Sequence, residues 1–149
     1  NATGVAAVLL AAQKLGGRNV GVLLTSAEEL GLAGARAFAR SHPARSIAIN
    51  CDTIDDGGSF LCMRSRRPSP VLERAVRNAT GKSTRAMLPG VMADNIAFSD
   101  AGWDSFTISR GNLGTLARVH TSRDRADHID GTGIAQASLL IASIVEELT

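Results

Sequence analysis

VGVLLTSAEELGLAG, Val20 to Gly34, sets two adjacent carboxylates where an apolar run gives way to a helical pattern. Val20–Leu24 is nearly continuous in apolar side chains, which predicts a strand over Val20–Thr25 covered on both faces. Glu28 and Glu29 follow at its carboxyl end, where ligands of open α/β sheets gather. Two like charges at a half-buried strand end raise each other's pKa and cost stability. A metal ion removes that penalty by binding one carboxylate and leaving its neighbour to move a proton. Taken alone, an EE pair opening a helix is more simply read as favourable charge at the positive end of the macrodipole. The other acids and the histidines tip the balance.

Ser46–Asp52 reads as a second strand that ends in an acid, followed by Thr53, Ile54, Asp55, Asp56, Gly57 and Gly58. Asp55 and Asp56 fit the role of turn formers whose side chains bond nearby amides. Asp52 fits that role less well, because it stands at the strand's end. Of three histidines, His42 precedes Pro43 at a helix end and reads as a cap or a solvated residue. His128 sits among Asp127 and Asp130 as a surface ion partner. His120 follows Leu116, Ala117 and Val119 on an apolar stem, with Asp124 four residues on to orient its ring.

The remaining pattern alternates helices and strands. Helices are predicted over Ala2–Leu15, Leu32–Arg40, Pro70–Ala79 (behind the cap residue Ser69), Asn95–Ala101 and Gly131–Leu148. Strands are predicted over Phe60–Arg64, Lys82–Met87 and Ser105–Ser109. This is an α/β chain of three layers, helices on both faces of a central sheet. The Gly57-Gly58 turn predicts a hairpin of Ile47–Cys51 with Phe60–Arg64, which makes the sheet mixed and mostly parallel. Cys51 and Cys62 flank that turn and read as two buried, reduced thiols.

At 149 residues, with 44% hydrophobic and 20% charged residues, the chain matches one domain with one core. Aromatics are 3% with no Tyr, so Ala, Val, Leu and Ile must build that core. A net charge of +2 gives no electrostatic case for nucleic acid. No apolar run reaches the length of a membrane span. Arg64, Arg66 and Arg67 read as a solvated strand end. The Gly- and Arg-rich stretch Arg110–Arg118 reads either as a substrate-shaping loop or as a plain surface loop.

NATGVAAVLLAA, LLTSAEELGLAGARAFA, AINCD, DNIAFSDAGWDSFTISRG and HTSRDRADHID, in that order, resemble the M28 family of zinc aminopeptidases over almost the whole chain. The Glu-Glu-x-Gly-Leu-x-Gly string followed by His-Thr-x-x-Asp is the most specific part. The resemblance implies a zinc-exopeptidase-like fold and a two-zinc centre that hydrolyses amino-terminal peptide bonds. It implies Glu28 as general acid/base, Glu29 and His120 as ligands of one zinc, and Asp52 as a ligand of the other. The Asp94, Phe98, Gly102 pattern matches a family turn, which implies for Asp94 a place either behind the metal ligands or against the substrate; the family's Ser-Asp-His is here Ala93, Asp94 and Asn95.

In the family an aspartate that bridges the metals precedes the Asn-Ala-Thr-Gly segment, and a further histidine ligand lies on an earlier strand. The sequence begins at Asn1, so Glu29, Asp52 and His120 remain. The expectation is an incomplete catalytic domain over residues 1–149, its first strands missing, inactive or nearly so alone and with partial or no zinc. The exposed sheet edge would then invite self-association. The resemblance leaves two rivals open: a glutaminyl cyclase-like transferase, and a binding or dimerisation module without metals.

Overall fold

The computed structural model describes residues 1–149. Helix α1, Ala2–Lys14, starts behind Asn1, whose side-chain oxygen accepts from the Gly4 amide at 3.1 Å. The Asn1 side-chain amide also donates to the Cys51 carbonyl at 2.8 Å. Gly4 makes this junction feasible: a Cβ there would lie 2.4 Å from the same carbonyl oxygen. The amino end of α1 is thereby held against the strand that carries Asp52.

Strands β1 (Ile47–Ile54), β2 (Ser59–Arg64), β3 (Arg85–Ala86) and β4 (Asp104–Gly111) form one sheet in the order β1-β4-β2-β3. β1 runs parallel to β4, β2 antiparallel to β4, and β3 parallel to β2. Helices α1, α3 (Pro70–Thr80) and α6 (Thr132–Glu146) pack on one face around Leu72, Val76, Phe106, Ile108 and Ile144. Helices α2 (Ala33–Ser41) and α4 (Asn95–Asp100) cover the other face around Leu32, Ala35 and Phe98, with Trp103 against them. The three-layer α/β architecture expected from the sequence is the one observed.

The expected hairpin is not formed, because β4 lies between β1 and β2. Phe106, Thr107 and Ile108 are all fully buried, so β4 is the strand suited to the centre, where both faces are covered. Cys51 and Cys62 oppose Ile108 from its two sides. They are therefore two strand spacings apart, roughly 9.6 Å, beyond the ~7 Å reach of a disulfide. Both are free and buried, and burial pushes each thiol up to about 12.

Val20–Thr25 also departs from expectation, since it is not a strand. Gly21–Thr25 makes no backbone hydrogen bond, and Val20, Val22, Leu23 and Leu24 are 37–58% exposed. A strand needs a neighbour about 4.8 Å away. Instead a groove of about 920 Å³ lies between this segment and β1, lined by Val20, Val22 and Leu23 on one side and Ile47 and Ile49 on the other. The outer edge of β1 is unpaired. The strand expected over Lys82–Met87 contracts to Arg85–Ala86.

Candidate active site at the carboxyl end of the sheet

Four non-glycine residues have positive φ: Ala27 at 56°, Leu32 at 62°, Thr53 at 55° and His120 at 61°. Such a conformation costs an L-residue roughly 1–2 kcal/mol, and it tends to collect where geometry serves function. Here every instance is, adjoins, or lies within three residues of one of the carboxylates or the histidine singled out above.

Glu28 and Glu29 lie in a 3-10 turn, Glu28–Leu30, between Ala27 and Gly31, both left-handed. Leu32 then turns inward to full burial and starts α2. Gly34 lets that helix close on the turn: a Cβ there would lie 2.5 Å from the Ser26 carbonyl oxygen. The turn is thus pinned from behind by Leu32 and Gly34.

Asp52 sits on a β-bulge. Cys51 pairs with Ile108 and Ile54 with Arg110, so Asp52 and Thr53 together oppose Ser109. A bulge re-aims the side chains it carries. It also returns Ile54 to the core beside Cys51, which simple alternation would not allow. His120 lies beyond the short helix α5 (Leu113–Leu116), and its Nε2 is 3.4 Å from Glu29 Oε1.

The electrostatics agree with this convergence. Burial raises the pKa of Glu28 most, the charges of Asp52, Glu29 and Asp94 raise it further, and His120 opposes them. Asp52 is also raised, first by burial and then by Asp94 and Glu29, against a lowering hydrogen bond from the Thr53 amide. Asp94 is buried; one carboxylate oxygen accepts from the Thr25 hydroxyl, while Oδ1 is buried with no hydrogen-bond partner. Glu28 therefore lies in the field of Glu29, Asp52, Asp94 and His120, and Asp52 in that of Glu29 and Asp94.

Asp124 is not part of this group. It is exposed, its carboxylate makes no hydrogen bond or ion pair, and its amide donates to the Thr121 carbonyl. His42 caps α2 through the Phe38 carbonyl and stacks on the Phe38 ring. His128 lies 3.9 Å from Asp127.

Two residues absent from the sequence reading of the site stand beside it. Thr25 holds Asp94, and Asp55 reaches Thr115 and Arg118 in addition to the local Gly57 amide. The D-D-G-G string signalled only a turn. Contacts sixty residues away in the chain leave no local trace.

Geometry also tests whether a divalent cation suits these residues. Two donors bound tetrahedrally to zinc at ordinary bond lengths lie about 3.4 Å apart. The His120–Glu29 separation matches that edge. No three His, Cys, Asp or Glu side chains are arranged to hold a metal ion by themselves. The fit is that of a donor pair.

Solved structures with this fold include BSAP, a zinc aminopeptidase from Bacillus subtilis, at 23% identity and TM-score 0.66 over 83% of this chain and 34% of that one. LapA aminopeptidase of Legionella pneumophila aligns over 98% of this chain and 45% of its own, at 14% identity and TM-score 0.73. An aminopeptidase from Aneurinibacillus sp. strain AM-1 aligns at 20% identity and TM-score 0.61, over 83% and 32%. The chain thus spans less than half the length of these enzymes. No match was found among curated protein sequences. The sequence profile of peptidase family M28 matches residues 1–145, and the chain belongs to that family.

Proposed function

We propose that Glu28, Glu29, Asp52 and His120 belong to a metal-dependent aminopeptidase centre that hydrolyses amino-terminal peptide bonds. The observation that carries this reading is the 3.4 Å approach of His120 Nε2 to Glu29 Oε1, beside two carboxylates with raised pKa. In it, Glu29 and His120 would hold one zinc ion, Asp52 would contribute to a second, and the buried Asp94 would stand behind the ligands or against the substrate. Bound there, the ions would polarise the scissile carbonyl and lower the pKa of water.

Glu28 has the character of a general acid/base. Its carboxylate is raised toward the range where proton acceptance and return are both facile, by burial and by the acids around it. It takes a proton from the attacking water and hands it to the departing amine. The pinned 3-10 turn keeps Glu28 and Glu29 in fixed relation, so the base stays beside the ligand position.

Three protein ligands do not complete two metal sites. Activity is therefore proposed for a polypeptide that supplies the remaining ligands, and the 149-residue chain is expected to be inactive or nearly so by itself. In the complete enzyme, Glu28→Gln should retain zinc and lose about 10²–10⁴-fold in turnover of an aminoacyl anilide. Retained turnover would remove Glu28 from this role. Cyclisation of a glutaminyl peptide, in place of anilide hydrolysis, would favour the transferase.

A second reading, a binding or dimerisation module of the same family, draws on the unpaired edge of β1 and the apolar groove beside it. Zinc stoichiometry separates it from the enzyme.

A further inference from the structure

The segment Asn112–His120 has little apolar anchorage. Leu113 and Leu116 are 85% and 68% exposed, and Thr115 is the only buried residue in the segment. Yet His120 at its end has a specific place, 3.4 Å from Glu29. Something other than hydrophobic packing must hold the segment, and the structure contains one candidate.

Asp55 is buried at the end of β1, where its amide donates to the Arg110 carbonyl at 2.9 Å and continues the β1–β4 ladder. Its Oδ2 accepts from the Thr115 hydroxyl at 2.6 Å and from the Arg118 guanidinium. Its Oδ1 accepts from the Gly57 amide at 3.3 Å. Thr115 in turn lies in a capping box with Asn112 at the start of α5, and its carbonyl accepts from the amides of Arg118 and Val119. One carboxylate thus joins the first and last turns of the segment to the strand end that bears Asp52.

We propose that Asp55 is a positioning residue: through Thr115 and Arg118 it clamps the Asn112–His120 segment to the end of β1 and so sets the approach of His120 to Glu29. This rests on the reading of Glu29 and His120 as a metal-binding pair, but the clamp itself does not require it. Asp55 touches no reacting atom. Its function is to make the histidine's position a property of the sheet.

The test compares the wild-type chain with Asp55→Ala, Thr115→Val and Thr115→Ser. Amide exchange at Arg118 and Val119 should accelerate at least 10-fold in the first two variants, while amides of β4 keep their protection; Thr115→Ser, which retains the hydroxyl, should restore the wild-type rate. The imidazole resonances of His120 should broaden or shift in the same two variants. Zinc affinity, read by competition with a chromophoric chelator and with Glu29→Gln as the reference loss, should fall about 10–100-fold.

Unchanged exchange and unchanged His120 signals in Asp55→Ala would overturn the clamp, whatever zinc does. Should Asp55→Ala fail to fold, the contrast of Thr115→Val with Thr115→Ser decides the same point. A wild-type chain with no zinc affinity would overturn zinc binding by Glu29 and His120 without further ligands, while exchange and the His120 signals would still decide the clamp. Accelerated exchange with zinc affinity unaltered would overturn the link between the clamp and the metal-binding pair.

Discussion

His120 Nε2 lies 3.4 Å from Glu29 Oε1, which brings a loop late in the chain onto a turn near its start. Both side chains are mostly exposed, so solvent screens the pair and it adds little to stability as an ion pair. Its geometry is more informative than its energy.

His120→Ala and Glu29→Gln should each weaken zinc binding by at least about 10-fold, because each removes one of few donors. Both should leave thermal stability within about 0.5 kcal/mol of wild type, as surface substitutions do. Elemental analysis after dialysis, paired with a melting curve, checks the two together. Undiminished zinc in both variants would refute the assignment.

Ala27 holds φ of 56° immediately before Glu28, and its side chain is exposed. Glycine adopts that conformation without the steric penalty of a Cβ. Ala27→Gly should therefore raise stability by roughly 0.5–1 kcal/mol, against the usual loss for Ala→Gly. Denaturant titration measures the sign. A fall in stability would show that the turn carries no such strain.

Acid sensitivity should trace in part to Glu73. Burial raises its pKa, but the hydrogen bonds from the Thr84 hydroxyl at 2.6 Å and the Thr84 amide at 3.0 Å outweigh it, and the net shift is below the ordinary value of 4.5. A folded-state pKa below the unfolded one contributes stability that is present above pH 4.5 and is lost as pH falls through the lowered folded value. Thr84→Val should thus be less stable than wild type at neutral pH by about 1–3 kcal/mol. The gap should narrow steadily below pH 4.5. A gap independent of pH would exclude Glu73 as its source.

The unpaired edge of β1 beside an apolar groove is a template for strand pairing. The chain should self-associate with rising concentration, and Ile47→Lys, which sets a charge on the edge, should shift it toward monomer. Sedimentation velocity distinguishes the cases. A monomer at all concentrations would argue against the edge as a contact surface.

Much of the fold was legible because helix and strand periodicities are local. Ser69 was expected to start α3 and does, its hydroxyl accepting from Leu72. The apolar spacing of Ile134, Ala137, Ile141 and Ile144 places α6 on the sheet. Local signals fail where a partner decides. The apolar run Val20–Leu24 has the composition of a buried strand, but no strand lies beside it to complete a ladder.

Strand order escaped the sequence for the same reason. The Gly57-Gly58 turn favoured a hairpin, while the need to cover both faces of Phe106, Thr107 and Ile108 put β4 in the centre and kept Cys51 and Cys62 apart. The candidate site divides along this line. The sequence by itself marked Glu28, Glu29, Asp52 and His120 as candidates, because they stand at element ends and in strings that resemble the family's. Only the tertiary structure decided that His120 approaches Glu29, that Asp124 is exposed, and that Asp55 bonds to Thr115 and Arg118 in the histidine's segment. Such contacts depend on how the sheet's ends come together in space, and no spacing along the chain encodes that distance.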